Sequence, residues 1–340
     1  MRIVILLLLL CCSSVQAAVV FLYHRFGEAA HPSTNITLDQ FAAQLDYLRD
    51  HNFSVWPLAR IVTALQEGQP LPEKVAAITV DDAYRSVYTQ AFPLLKRHGF
   101  PFTVFVSTAA VDEELADFMS WEQMRAMQAE GASFANHGVS HATLLRGETE
   151  TPVAWQRRVR DELVHAQARL QAELGADTNE APRLFAYPYG EFSAELAELV
   201  RQMGYAAFGQ QSGALAAGAD FRALPRYPMA ERFAALDDFA LKALTLALPV
   251  DNAEPWDPLT VRQVNPPRLT VNLSAPLPNA AALACYIDGM RVDPEWLDET
   301  VLTFAVQAPT ALPAGRSRYN CTAPAGGGRY YWYSHLWINH

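Results

Sequence analysis

Between residues 19 and 209, short apolar runs alternate with amphipathic segments, and this alternation limits the architectures open to the chain more than any other feature. Val19–Tyr23 (VVFLY), Ala76–Val80 (AAITV), Phe102–Val106 (FTVFV), Ser133–Ala135, Leu184–Ala186 and Ala206–Gly209 read as strands. Unbroken apolar runs of this length suit strands covered on both faces. Helical patterns separate them. Thr37-x-x-Gln40 is a capping box before Phe41, Leu45 and Leu48; a second helix carries Ile61, Ala64 and Leu65; a third runs from Ser86 to Leu95 and stops at His98–Gly99. Ser120-x-x-Gln123 caps another, and further helices cover 153–174 and 196–203. Strand, helix, strand with short links predicts a parallel α/β sheet or barrel.

The pattern fades near Pro249. The stretch 249–267 holds five prolines, which sets a catalytic unit over 18–250 and a linker over 251–267. Beyond it Leu269–Leu273, Ala281–Ile287, Val301–Val306 and Arg329–Ile338 alternate, with a turn at Pro324–Gly328, so 268–340 reads as a small β-sandwich. In the last run Tyr331, Tyr333, His335 and Trp337 share one face, and Tyr330, Trp332, Leu336 and Ile338 the other. A strand buried on both sides and one with a sugar-stacking face, carried by Trp337, both fit that pattern.

Met1–Arg2, the apolar run Ile3–Leu10 and the small residues up to Ala17 read as a signal peptide over 1–17, so an exported, periplasmic or extracellular chain is expected. Its removal leaves two cysteines, Cys285 and Cys321. An even remainder in an exported chain suggests one disulfide, closing a loop of 36 positions; two buried free thiols are the alternative. The net charge of −10 excludes a nucleic-acid or anionic-membrane binder, since phosphate neutralisation needs a basic face. No 18-residue apolar run follows the first dozen residues, so no membrane span is expected in the mature chain.

Three motifs carry chemistry. Asp81–Asp82 ends an apolar strand, where α/β folds build their sites. Adjacent carboxylates repel unless a cation or proton intervenes, although an Asp pair can also serve as a helix N-cap. His137-x-x-x-His141 has metal-ligand spacing and lies in a polar loop after a short strand. Two histidines and one carboxylate leave coordination positions open, as catalytic sites do. Tyr187–Pro188–Tyr189–Gly190 is a turn at a strand end that could aim the Tyr189 N–H into a site, or could be an ordinary turn with a packed aromatic.

Asp-Asp, His-x-x-x-His and a Pro-Tyr-Gly turn, in this order and each at a strand end, resemble the polysaccharide deacetylases of the NodB-homology family (carbohydrate esterase family 4) over residues 19–250. The branch of exported poly-N-acetylglucosamine deacetylases is most similar, because Tyr23–His24 matches the pair that there replaces a late histidine. The resemblance implies a distorted (β/α) barrel in the α/β class. It implies Asp81 as general base, and Asp82, His137 and His141 as ligands of a divalent metal, zinc first, with cobalt or nickel as alternatives. Tyr189 would offer its N–H to the oxyanion, and His24 would be the general acid. The substrate would be a polysaccharide of N-acetylglucosamine type, deacetylated with release of acetate. A non-catalytic carbohydrate binder on the same fold and an O-acetyl esterase are the alternatives. There are departures: Ala83 replaces a common Gly, and Ala186 stands where many members have an Arg that orients the base. Arg226, in Pro225-Arg226-Tyr227, is therefore a candidate partner for Asp81 or the product acetate.

Overall fold

The computed structural model describes residues 16–175, 182–260, 264–298 and 302–339. Most of the expected signal peptide, and residues 261–263 of the expected linker, lie outside them. Six parallel strands form the first unit: β1 (Ala18–Tyr23), β2 (Val75–Asp81), β3 (Phe102–Val106), β4 (Ala132–Asn136), β5 (Arg183–Ala186) and β6 (Tyr205–Phe208). They lie side by side in chain order. The pair Ala214–Leu215 runs antiparallel to the start of β1, and Tyr227–Pro228 runs parallel to its end. The stretch before Tyr227 also reaches β6, through Leu224 N–H to Ala207 O at 2.8 Å and Gly209 N–H to Leu224 O at 3.0 Å. Residues 221–228 thus link the two ends of the sheet and give it a distorted-barrel curvature.

Strand alternation divides the side chains into two sets. Ala18 and Val20 of β1, Val75 and Ala77 of β2, Phe105, Ala135, Leu184, Ala186, Ala206 and Phe208 form one inner cluster, which the helix Leu58–Gln66 closes at one end with Leu58, Ile61, Val62 and Leu65. Many of these residues are alanine, because facing strands leave little width inside. The opposite set packs outward on helices. Val19, Phe21 and Tyr23 meet Phe41, Leu45 and Leu48 of the helix Leu38–Asp50, whose capping box Thr37–Gln40 forms as expected. Phe185, Tyr205 and Ala207 meet the helices Pro152–Leu174 and Ala194–Gln202. The expected helix from Ser86 opens instead as a π-turn, Val87–Ala91, before Phe92–His98. Pro93 lacks an N–H and its ring crowds the carbonyl four residues back, which widens that turn.

The C-terminal unit is two packed sheets. One holds the hairpin β7 (Gly315–Gly326) and β8 (Arg329–Asn339), with Leu246–Ala247, Ala284–Ile287 and Met290–Val292. The other holds Val250–Glu254, Arg268–Leu273, Thr303–Gln307 and Glu295–Asp298. Leu269, Val271 and Phe304 from one meet Ile287, Tyr319 and Trp337 from the other in a shared core. Cys285 and Cys321, direct partners in register, are joined in a disulfide. The expected linker 251–267 is in part structural: Val250–Glu254 pairs with Arg268–Leu273 and belongs to the sandwich. Its proline content masks a strand that ends just before Pro255. Strand β8 is buried on both sides over Ser334–Ile338, whereas Tyr330 at its start is exposed. Trp337 is 1% exposed inside the sandwich, which corrects its reading as a sugar-stacking residue, while Leu336 and Ile338 pack on Phe185 and Tyr187 of the first unit. The two units therefore share apolar core.

Candidate active site

The inward columns of the strands end at the carboxyl edge of the sheet in polar residues. After Ala77, the inward side of β2 continues through Thr79 to Asp81; β4 continues through Ala135 to His137; and after Val20 the inward side of β1 leads through Leu22 to His24. The period-two rule sends Tyr23 the other way. Its hydroxyl donates to Gln44 Oε1 at 2.7 Å among Phe26 and Phe41, so Tyr23 supports the core and His24 faces the site. Asp82 turns inward by another route, since its φ is +74° and that of Ala83 is +58°. Left-handed backbone costs a non-glycine residue about 1–2 kcal/mol. His141 (φ +55°) and Tyr189 (φ +59°) share it, so such backbone recurs at this one edge.

Asp82, His137 and His141 converge. Asp82 Oδ1 lies 3.3 Å from His137 Nε2 and 3.1 Å from His141 Nε2. His137 Nδ1 donates to Ala186 O at 2.7 Å, which leaves its Nε2 lone pair facing the carboxylate. Asp82 Oδ1 is buried without a hydrogen-bond partner. Facing acceptors require a cation or a proton between them. Ligands bonded to one divalent ion at about 2.0–2.2 Å stand roughly 3.0–3.4 Å apart, so the donor set fits a divalent metal. Burial by itself would raise the Asp82 carboxyl, but the two imidazoles and His24 hold it well below the usual carboxylate range. Burial lowers His137, and the Asp82 and Asp81 charges more than restore it, leaving it raised.

The loop that carries the histidines is held from behind. Asn136 Oδ1 accepts from Gly138 N–H at 2.8 Å, and its amide donates to Leu163 O at 2.8 Å. Glu162, on the long helix, accepts from Val139 N–H at 2.7 Å, Ser140 N–H at 3.0 Å and Ser140 Oγ at 2.7 Å.

Asp81 is fully buried and is gripped by Arg226, whose Nη1 and Nη2 donate to Oδ1 at 2.7 Å and Oδ2 at 2.8 Å. Arg226 also donates to Gly209 O at 3.0 Å and Thr79 Oγ1 at 3.3 Å, and lies over the rings of Phe105 and Phe208. Of the two partners considered in the sequence for Arg226, the structure provides Asp81, from the opposite side of the barrel. Burial pushes the Asp81 carboxyl up, and Arg226 and His137 bring it below its ordinary value. His24 lies close enough to Asp82, Asp81, Arg226 and His137 to feel their charges; burial is the largest influence and its imidazole is lowered. Tyr189 lies at the rim, 43% exposed, its ring edge-on to His141 at 4.6 Å between centroids.

All seven residues singled out from the sequence therefore gather at this edge. The sequence reading missed Glu162, the Ala186 carbonyl and Arg316, whose Nη1 donates to the Tyr189 carbonyl from the C-terminal unit. A backbone carbonyl has no sequence signature, and a lone Glu or Arg on a polar face looks like any solvated charge.

Comparison with known proteins points to the same family. The family model for polysaccharide deacetylase matches residues 68–208. The poly-β-1,6-N-acetyl-D-glucosamine N-deacetylase of Escherichia coli (strain K12) is 27% identical over 247 residues, 63% of this chain and 35% of the relative. The protein of the same name from Staphylococcus aureus (strain N315) is 22% identical over 189 residues, 54% of this chain and 63% of the relative. The chain thus spans about a third of the length of the first relative. Among solved structures, IcaB from Ammonifex degensii superposes with a TM-score of 0.58 at 27% identity, over 67% of this chain and 97% of that one. Streptococcus pyogenes deacetylase PplD, in complex with acetate, shares the fold at a TM-score of 0.58 and 21% identity, over 66% of this chain and 97% of that one.

Proposed function

We propose that this chain is a polysaccharide deacetylase of the NodB type, an exported, metal-dependent hydrolase that removes N-acetyl groups from a polymer of N-acetylglucosamine type. One observation carries the reading: an Asp82–His137–His141 donor set, its first two members buried and His141 partly exposed, stands beside a second carboxylate, Asp81, kept ionised by Arg226. A purely structural ion pair has no need of two ligand histidines at its edge. The relatives named above act on poly-β-1,6-N-acetyl-D-glucosamine, which supports the sugar class. The disulfide supports export, since such bonds persist in oxidising compartments.

In this mechanism Asp82, His137 and His141 would hold a divalent metal, for which zinc is the first candidate because its catalytic sites use two histidines and a carboxylate. When bound, a divalent cation polarises the acetyl carbonyl and makes water acidic enough to deprotonate near neutral pH. Asp81 accepts the proton of the attacking water, and Arg226 keeps both carboxylate oxygens in place and ionised. The Tyr189 N–H donates to the carbonyl oxygen as it gains charge; removing one such donor typically costs about 3 kcal/mol. His24 delivers a proton to the departing nitrogen, and acetate leaves. Its lowered pKa makes it a readier donor than free imidazole, and a scarcer one as pH rises. The two other readings of these residues, an O-acetyl esterase and a non-catalytic binder, lead to different outcomes of the test.

The test is acetate release from acetylated glucosamine oligomers by zinc-loaded protein. Asp81→Asn is expected to retain zinc and lose turnover by at least about a hundredfold, whereas His141→Ala loses both. Equal zinc loss in the two variants, or an inert wild-type chain that binds the oligomers, would overturn the assignment.

A further inference from the structure

The turn that presents the Tyr189 N–H is held by its own unit on one side, where Gly190 N–H donates to Tyr187 O at 2.8 Å and Glu191 N–H to Pro188 O at 3.1 Å, and by the sandwich on the other. Tyr189 is half-exposed and left-handed, and Gly190 follows at φ +70°. A Cβ at Gly190 would stand 2.6 Å from Gln210 Cβ and 2.8 Å from Gln210 N, so the chain rests directly on residue 210 from within. On its outer side the support comes from a different unit. Alternation along β7 sends Tyr319, Cys321 and Ala323 into the sandwich core, and turns Arg316, Arg318 and Asn320 toward the barrel, where Asn320 Oδ1 accepts from Ser212 Oγ at 3.3 Å. Arg316 Nη1 donates to the Tyr189 carbonyl, and its Nε lies 3.8 Å from Glu191 Oε1. Glu191 Oε2 in turn accepts from Thr143 Oγ1 at 3.3 Å, two residues beyond His141. One guanidinium therefore spans the Tyr189 peptide and the carboxylate that ties this turn to the histidine loop.

We propose that Arg316 is a positioning residue: the C-terminal sandwich is a working part of the active site, holding the oxyanion turn through Arg316. The idea rests on the role given above to the Tyr189 N–H. The physical reason is the cost of that turn. A left-handed, exposed residue persists only where neighbours over-determine it. An arginine on a strand that a disulfide ties to its neighbour is a stiffer restraint than solvent, and its fork can take a carbonyl and a carboxylate together. The sandwich also shares core with the barrel through Leu336 and Ile338, so the restraint is anchored at both ends.

Arg316→Ala and Arg316→Lys test this in the full zinc-loaded chain. Arg316→Ala is expected to lower kcat about ten- to a hundredfold, as expected for a reacting group displaced by about an ångström, with KM, zinc affinity and Tm close to wild type. Arg316→Lys, whose ammonium keeps the charge but lacks the fork that takes the carbonyl and the carboxylate together, should recover kcat only in part. Amide hydrogen exchange over residues 187–191 should quicken about tenfold or more in Arg316→Ala alone. Unchanged exchange and kcat would overturn the proposal, and so would a fall in kcat that tracks lost zinc or lost Tm. The exchange measurement needs no substrate. If the wild-type chain released no acetate, the functional reading would fail, and exchange would still decide whether Arg316 holds the turn.

Discussion

At the scale of single residues, the site depends on one buried ion pair. Asp81 and Arg226 are both fully buried, and their two charge-assisted bonds offset a desolvation cost that neither could bear alone. Removing one partner of such a pair typically costs about 3–5 kcal/mol. The arginine also sets when the base is usable. With Arg226 present, Asp81 titrates below the ordinary carboxylate value and is ionised above it. In Arg226→Gln, burial dominates and the pKa rises. The acid limb of kcat/KM should then move to higher pH, with activity near pH 5 lost first and activity near pH 8 lost least. A pH profile of acetate release checks this; an unmoved acid limb would show that Arg226 does not tune the base.

At the scale of elements, each strand delivers its chemistry at its carboxyl end, and the loops there are held by helices behind them. Glu162 is the clearest case. It touches no ligand side chain, yet three donors of the His137–His141 loop converge on its carboxylate from one turn of the long helix. Loss of a supporting group around a metal typically weakens binding about 10–100-fold. Glu162→Ala should therefore weaken zinc binding by about that factor, read by competition with a chromophoric chelator, while circular dichroism stays native. Glu162→Gln, which can still accept from two of the donors, should lose less. The interior alanines show the same economy of space: with Ala186 in place of an arginine on β5, room remains for Arg226 to enter from the 221–228 stretch and occupy the barrel mouth.

At the scale of the whole molecule, barrel and sandwich are joined through the apolar residues of β8, and Cys285–Cys321 staples β7 to its neighbouring strand within the sandwich. The disulfide closes a loop of 36 positions, worth about 4 kcal/mol in the chain-entropy model. Reduction should therefore lower Tm and loosen the hairpin that carries Arg316; an unchanged Tm in reductant would show that the bond is no staple. Acid should weaken the same junction. Burial pushes the His335 imidazole down to about 3. An unfolded chain takes up that proton below about pH 6.5. The stability contributed by keeping His335 neutral is thus complete above pH 6.5 and is lost as pH falls toward 3, by up to about 1.4 kcal/mol per unit. Between pH 6.5 and 4 the wild-type Tm should fall more steeply than that of His335→Gln, and parallel slopes would contradict this.

Much of this molecule was legible in its residues alone. Local pattern determined the strands, the helices and their caps, because apolar periodicity and side-chain capping act within a few residues of chain. Strand-end position and residue chemistry picked out Asp81, Asp82, His137 and His141, since parallel strands present their carboxyl ends together, and the resemblance of Tyr23–His24 to a family pair added His24. The tertiary structure decided the partners: it set Asp81, one of two candidates, against Arg226, and it alone revealed Arg316. Arg226 reaches Asp81 from 145 positions away and Arg316 reaches Tyr189 from 127, and no local rule pairs charges across such distances. It also decided that Val250–Glu254 is a strand and Trp337 a core residue, because burial is set by what packs on a face, and a face seen in sequence does not say what covers it.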